Sequence, residues 1–193
     1  SLYLQITRGV AKRDHGFPPE AEPTVFAMSN PMADPALTLR DGVVTITVED
    51  IRWKLCHIKS IALLPNILLR QQAIDAGAAE AILLRDGDMT EGAATNVFIV
   101  KHGVVITPPK SNLLLPGITR DLVVEICQAN DLPCEGRAVS EEELRDADEV
   151  WISSSTKEVG PVIELEGQRV ANGHPGPLWA RVLELYQDYK QAV

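Results

Sequence analysis

The sequence predicts an α+β fold, a mixed sheet or pseudo-barrel with flanking helices, because strand-like and helix-like stretches alternate without a regular βαβ rhythm or internal repeat. Two observations carry this. Three dipeptides, Asp86-Gly87, His102-Gly103 and Glu166-Gly167, follow apolar strand-like runs in the manner of tight turns. The stretches "ITRDLVVEICQAN" and "PLWARVLELYQDYKQAV" place apolar residues at helical spacing.

The elements follow in chain order. "YLQITRG" and "TVFAMS" read as strands joined by the polar, Pro- and Gly-containing "AKRDHGFPPEAEP", hence a hairpin with a long loop. The opening "SLYLQITRG" lacks Met and runs straight into a strand, as expected of a chain cut upstream. "NPMADP", with its two prolines, is the best linker. The expected division is therefore residues 1–30, a linker over 31–36, and a main domain over 37–193. "GVVTITVEDIRWKLCHIK" supplies one or two strands. A helix is expected from about Ile61 to Ala76, ended by Gly77, with Pro65 in its first turn, where a missing N–H costs little. "EAILLRDGD" is a strand entering a turn, and "NVFIVKHGVVITP" a hairpin about His102-Gly103. The helix after it has Leu122, Ile126 and Ala129 on one face. "SEEELRDADE" reads as a solvated helix, with Ser140 and Glu143 at capping-box spacing. "DEVWISSS" is a strand, "PVIELEGQRV" a second hairpin, and an amphipathic helix ends the chain.

Composition narrows the function classes. A net charge of −9 and pI near 4.9 exclude a basic stripe for nucleic acid or anionic membrane. Cys56, Cys127 and Cys134 form no C-x-x-C and the four histidines no ligand pair, so a reducing, cytoplasmic setting without a metal site is expected. No apolar run reaches the length of a membrane span.

Lys59 raises the first chemical question. If residues 51 to 59 are extended, Ile51, Trp53, Leu55, His57 and Lys59 share one face, with Arg52 and Lys54 on the other. The apolar face should point inward and take Lys59 with it. Lost hydration favours the uncharged amine, the form needed for nucleophilic or Schiff-base chemistry. The plainer reading is a strand-end lysine that snorkels back to water. In isolation Glu91 reads as an exposed turn acid, and Arg13 and His15 as a polar loop.

The stretch from Glu91 to Arg120 carries a resemblance. Its order, Glu91-Gly92, three small residues, Asn96-Val97-Phe98, then Thr107, then Leu115, Gly117-Ile118-Thr119-Arg120, resembles the signature of the class IV, or fold-type IV, pyridoxal-phosphate aminotransferases. "DIRWKLCHIKS" is similar to the segment bearing that family's cofactor lysine, and "EVWISSSTKEVGPVIELEG" to its phosphate-contacting strand and hairpin. Arg13-Asp14-His15 resembles the R-x-H of the D-amino-acid group within the class.

The resemblance implies roles. Lys59 would hold pyridoxal 5'-phosphate as a Schiff base and act as acid-base catalyst. Glu91 would face the pyridine nitrogen, and Leu115 would pack on the ring. Ile118 and Thr119 at a helix N-terminus, with Ser154 and Ser155, would hold the phosphate. Arg13 and His15 would take the substrate α-carboxylate, from the neighbouring subunit of a homodimer, with Tyr3 also on the substrate side. The implied reaction transfers an amino group from a D-alanine-like donor to a 2-oxoglutarate-like acceptor. The alternatives are a branched-chain L-amino-acid aminotransferase, an aminodeoxychorismate lyase, or a catalytically impaired cofactor-binding fragment. Ala93 and Ala94 depart from the serines that D-specific relatives often carry. Residues 1–30 correspond to the last strands of the family's small domain. The family draws an arginine and a tyrosine from further upstream, so weak cofactor binding and poor turnover are expected of these 193 residues alone.

Overall fold

A computed structural model describes residues 1–32 and 40–192. The chain divides into two compact units, Ser1–Asp34 and Pro35–Val193. Much of the linker expected at 31–36 lies outside the described residues.

The first unit is the expected hairpin. Strands β1 (Leu2–Thr7) and β2 (Thr24–Ser29) pair antiparallel from Leu2↔Ser29 to Thr7↔Thr24. Their long connection is pinned at Gly9, where φ is +102° and a Cβ would lie 1.9 Å from the Glu22 carbonyl oxygen. Arg8 stacks on Phe17, 3.8 Å from the ring centroid.

The second unit is built on a nine-stranded curled sheet. Its strands are β3 (Val43–Glu49), β4 (Glu80–Arg85), β5 (Asp88–Gly92), β6 (Asn96–Lys101), β7 (Val104–Thr107), β8 (Cys134–Gly136), β9 (Glu149–Ser154), β10 (Glu158–Leu165) and β11 (Gln168–Arg169). The order is β5-β4-β3-β10-β9-β6-β7-β8, with β11 on β10. β3 pairs parallel with β4 and β10, and β7 with β8; the other pairs are antiparallel. Parallel neighbours need long crossovers. Helix α1 (Leu64–Asp75) connects β3 to β4, and α2 (Ile118–Ala129) connects β7 to β8. A short α3 (Glu141–Arg145) precedes β9, and α4 (Pro177–Ala192) ends the described chain.

Alternation along the strands sorts the core. Ile82, Val97, Ile99, Ile106, Val150, Ile152 and Val162 fill one face of the sheet. Phe98, Val100, Val105, Trp151 and Val159 point the other way, under Val123, Ile126 and Cys127 of α2 and Trp179, Val182 and Tyr186 of α4. A third cluster packs Leu69 and Ala73 of α1 on Ala81 and Leu83. Full burial of such a side chain contributes roughly 1.5–3 kcal/mol.

The turn chemistry agrees with the sequence. Asp86, His102 and Glu166 have φ of 54°, 51° and 50°, each followed by a glycine at positive φ. Pro65 falls in the first turn of α1, and Gly77 ends that helix at φ +71°. Ser140 caps α3, its Oγ accepting from the Glu143 N–H at 3.1 Å.

Two expectations are corrected. Residues 51–59 are not a strand; β3 stops at Glu49, where Asp50 turns the chain, and Ile51, Trp53, Leu55, His57 and Lys59 are exposed while Arg52 and Cys56 are buried. The buried residues of α2 are Thr119, Arg120, Val123, Ile126 and Cys127, so of the expected face Ile126 is buried, Leu122 half-buried and Ala129 exposed. Helix α2 begins at Ile118, with Gly117 in the N-cap position.

Candidate active site

Asp50 follows β3, and its side chain is fully buried, so its charge needs a partner. Arg52 provides it: Nε reaches Oδ1 and Nη2 reaches Oδ2, both at 2.9 Å. Arg85 adds a second cation at 3.2 Å and the Thr90 hydroxyl donates to Oδ2 at 3.2 Å. Burial alone would raise the Asp50 pKa, but the Arg52 hydrogen bonds and charge hold it below the ordinary range. The same guanidinium turns Nη1 to Glu91 Oε1 at 2.5 Å.

Glu91 stands near the end of β5 with 5% of its surface exposed. Its Oε2 accepts from the Leu115 N–H at 3.0 Å and from Asn96 Nδ2 at 3.2 Å. Burial nevertheless pushes its pKa up to about 7, because Arg52 is shared with Asp50 and offsets only part of the lost hydration. The result is a carboxyl group poised near neutrality, fixed from three sides.

Asn96 opens β6 and links this carboxylate to helix α2. Its Nδ2 also donates to the Leu115 carbonyl at 2.8 Å. Its Oδ1 occupies the space beside Gly117, where a Cβ would come within 2.2 Å. Having no side chain, Gly117 provides no capping acceptor for the first N–H groups of α2. The helix N-terminus at Ile118 and Thr119 therefore offers donors and a favourable dipole to an anion. Thr119 is buried, while Ile118 is 80% exposed.

The β6/β9 ladder brings in the serines by pairing Asn96 with Ser153. Ser154 Oγ accepts from the Lys157 N–H at 3.1 Å, and Ser155 is exposed in the turn. Two hydroxyls near these turns, Ser153 Oγ and Thr95 Oγ1, are buried without a partner.

Lys59 lies exposed between β3 and α1. The segment leading to it is fixed against the 111–115 loop. Arg52 Nη2 donates to the Leu113 carbonyl at 3.1 Å, the Cys56 N–H to the Asn112 carbonyl at 2.8 Å, and Asn112 Nδ2 to the Lys54 carbonyl at 2.8 Å. Glu91, Leu115, Ile118 and Thr119 are thus joined through Asn96, with Ser154 and Ser155 on the neighbouring turn. Tyr3, Arg13 and His15 belong to the first unit, where the Tyr3 hydroxyl donates to Gln5 at 2.9 Å and Arg13 and His15 are exposed. Sequence reasoning missed Asp50 and Arg52, and it quoted Asn96 without giving it a task. An aspartate two residues before an arginine at the end of a strand was the available signal.

A buried carboxylate facing a donor-rich helix N-terminus, on a curled mixed sheet, is the arrangement of the class IV aminotransferases. The chain belongs to that family, which it matches over residues 1–165. It is 45% identical over 187 residues to a D-alanine aminotransferase of Bacillus licheniformis, a match covering 97% of this chain and 66% of the relative. A D-alanine aminotransferase of Staphylococcus haemolyticus is 41% identical, with 97% and 67% covered. The chain thus spans about two thirds of the length of the curated relatives it matches. Among solved structures, the Escherichia coli branched-chain amino acid aminotransferase superposes with a TM-score of 0.84 at 27% identity, covering 97% of this chain and 64% of that one. A hypothetical aminotransferase from Mycobacterium tuberculosis, in a PLP-bound form, gives 0.81 at 27% identity, with 96% and 66% covered.

The family depends on pyridoxal 5'-phosphate, and the donor set fits that cofactor. Glu91 suits a pyridine nitrogen, the uncapped start of α2 suits a phosphate dianion, and the unpaired hydroxyls of Ser153 and Thr95 leave polar capacity nearby.

Proposed function

We propose that the chain is the cofactor-binding part of a D-amino-acid transaminase, transferring the amino group of a D-alanine-like donor to a 2-oxoglutarate-like acceptor. The observation that carries this reading is the buried Glu91 carboxylate, held by Arg52, Asn96 and the Leu115 N–H within one side chain of the α2 N-terminus. Identity to the D-alanine enzymes and the Arg13-x-His15 loop favour the D-specific reading. Likeness to branched-chain enzymes keeps a branched-chain L-amino-acid aminotransferase as the second reading.

Pyridoxal phosphate supplies the electron sink for breaking the donor's Cα–H bond. Lys59 supplies the primary amine that anchors the cofactor and then moves the proton at the donor Cα. Glu91 keeps the ring nitrogen protonated, which needs a carboxylate whose charge a nearby cation does not fully cancel. Leu115 packs on the ring. The N–H groups of Ile118 and Thr119, with Ser154 and Ser155, hold the phosphate. Arg13 and His15 bind the α-carboxylate by charge-assisted hydrogen bonds, with Tyr3 beside the substrate.

Residues 1–30 then belong to a small domain, 31–36 to a linker, and 37–193 to the large domain. The working unit is a homodimer with Arg13 and His15 acting in trans. The exposed apolar run of Ile51, Trp53, Leu55, Ile61, Leu64 and Ile67 supports such an interface. Free cysteines support a cytoplasmic setting. Among the described residues no helix is long and apolar enough to cross a membrane.

The test is a half-reaction. Protein loaded with pyridoxal phosphate and given D-alanine should release pyruvate and convert its cofactor to the amine form, while L-alanine and L-leucine should not. Conversion by L-leucine alone would establish the second reading.

A further inference from the structure

Glu80, the first residue of β4, is a carboxylate that the site described above does not use, yet its side chain is 0% exposed. Its Oε1 accepts from the Ala81 N–H at 3.0 Å, and Lys157 Nζ approaches Oε2 at 3.3 Å. Among the described residues, Lys157 is the basic side chain within ion-pair reach of Glu80. Its ammonium also reaches the Ala79 carbonyl at 3.5 Å. A buried carboxylate that loses its cation is left uncompensated, so this pairing is structurally consequential.

Both ends of the pair touch the site. The Glu80 stem lies under Gly92, the residue after Glu91: a Cβ at Gly92 would be 3.2 Å from Glu80 Cγ and 2.1 Å from Thr95 Oγ1. Lys157 closes the β9–β10 turn, where its backbone N–H donates to Ser154 Oγ at 3.1 Å and to the Ser154 carbonyl at 3.3 Å. One residue therefore meets the Ser154 hydroxyl with its main chain and, with its side chain, holds Glu80, whose stem lies under Gly92.

We infer that Lys157 is a positioning residue that, through Glu80, fixes the spacing between the Ser154–Ser155 turn and the Glu91 turn, and so between the phosphate and ring-nitrogen ends of the cofactor site. This rests on the proposed function. A fixed spacing matters only to a ligand that spans both ends. Pyridoxal phosphate should feel its loss, whereas pyridoxal, which has the ring without the phosphate, should not.

The test compares dissociation constants of pyridoxal phosphate and pyridoxal for cofactor-free wild type, K157M and K157R, read by absorbance titration. K157M should weaken pyridoxal phosphate by about tenfold or more, equivalent to about 1.4 kcal/mol of binding free energy. Pyridoxal should change by less than about twofold on the same scale, and K157R should restore most of the lost affinity. Should K157M fail to fold, E80Q, which keeps the side-chain volume, carries the same comparison. Equal weakening of both ligands, or of neither, overturns the inference alone. A wild type that takes up no pyridoxal phosphate overturns the functional reading beneath it.

Discussion

Arg52 decides most of the site's electrostatics. It serves two buried carboxylates at once and leaves them in opposite states: Asp50 held low by its bonds, Glu91 raised to about 7 by burial that Arg52 only partly offsets. The consequence for stability has a definite sign. A carboxyl whose folded pKa exceeds its unfolded value binds more protons in the native state, so its contribution is fully present below about 4.5 and is lost as pH rises through about 7. Wild-type cofactor-free protein should therefore lose stability relative to E91Q across that window, by an amount on the order of 3 kcal/mol. Denaturant melts of both proteins at several pH values check this; parallel pH profiles would contradict it. None of this was legible from alternation alone. Extending β3 past Glu49 sent Arg52 outward and Lys59 inward, whereas the Asp50–Arg52 pair ends the strand and reverses that pattern. A buried arginine carries no mark in a hydropathy pattern, because its burial is set by partners distant in sequence.

At the scale of elements, the site depends on how closely α2 approaches β6. Gly117 has ordinary extended dihedrals, φ −68° and ψ 138°, so it is required by space and not by conformation. Gly117→Ala places a methyl 2.2 Å from Asn96 Oδ1 and must push the helix N-terminus or Asn96 aside. The expected cost is about 1–3 kcal/mol, the usual range for overpacking. Pyridoxal phosphate affinity should fall with it, as thermal melts and absorbance titration would show; an unaltered affinity would remove α2 from the phosphate site. The elements were more legible than their contacts. Asp86-Gly87, His102-Gly103 and Glu166-Gly167 announce turns because glycine and a polar neighbour tolerate positive φ, and that is a local property. The need for glycine at 117 was not legible, because the space beside it is taken by Asn96 Oδ1, a contact made across the fold.

For the molecule as a whole, the order of signature residues identified the family before any geometry was available, and the curled sheet with α2 and α4 on one face agrees with it. The central claim is that Lys59 anchors pyridoxal phosphate at this site. The most direct measurement is to incubate purified protein with the cofactor, reduce with borohydride, digest, and locate the pyridoxyl group by peptide mass spectrometry. The account predicts a yellow protein bleached by borohydride, with the label on Lys59 and none on K59A. A label on another lysine, or a wild type that remains colourless, would contradict it.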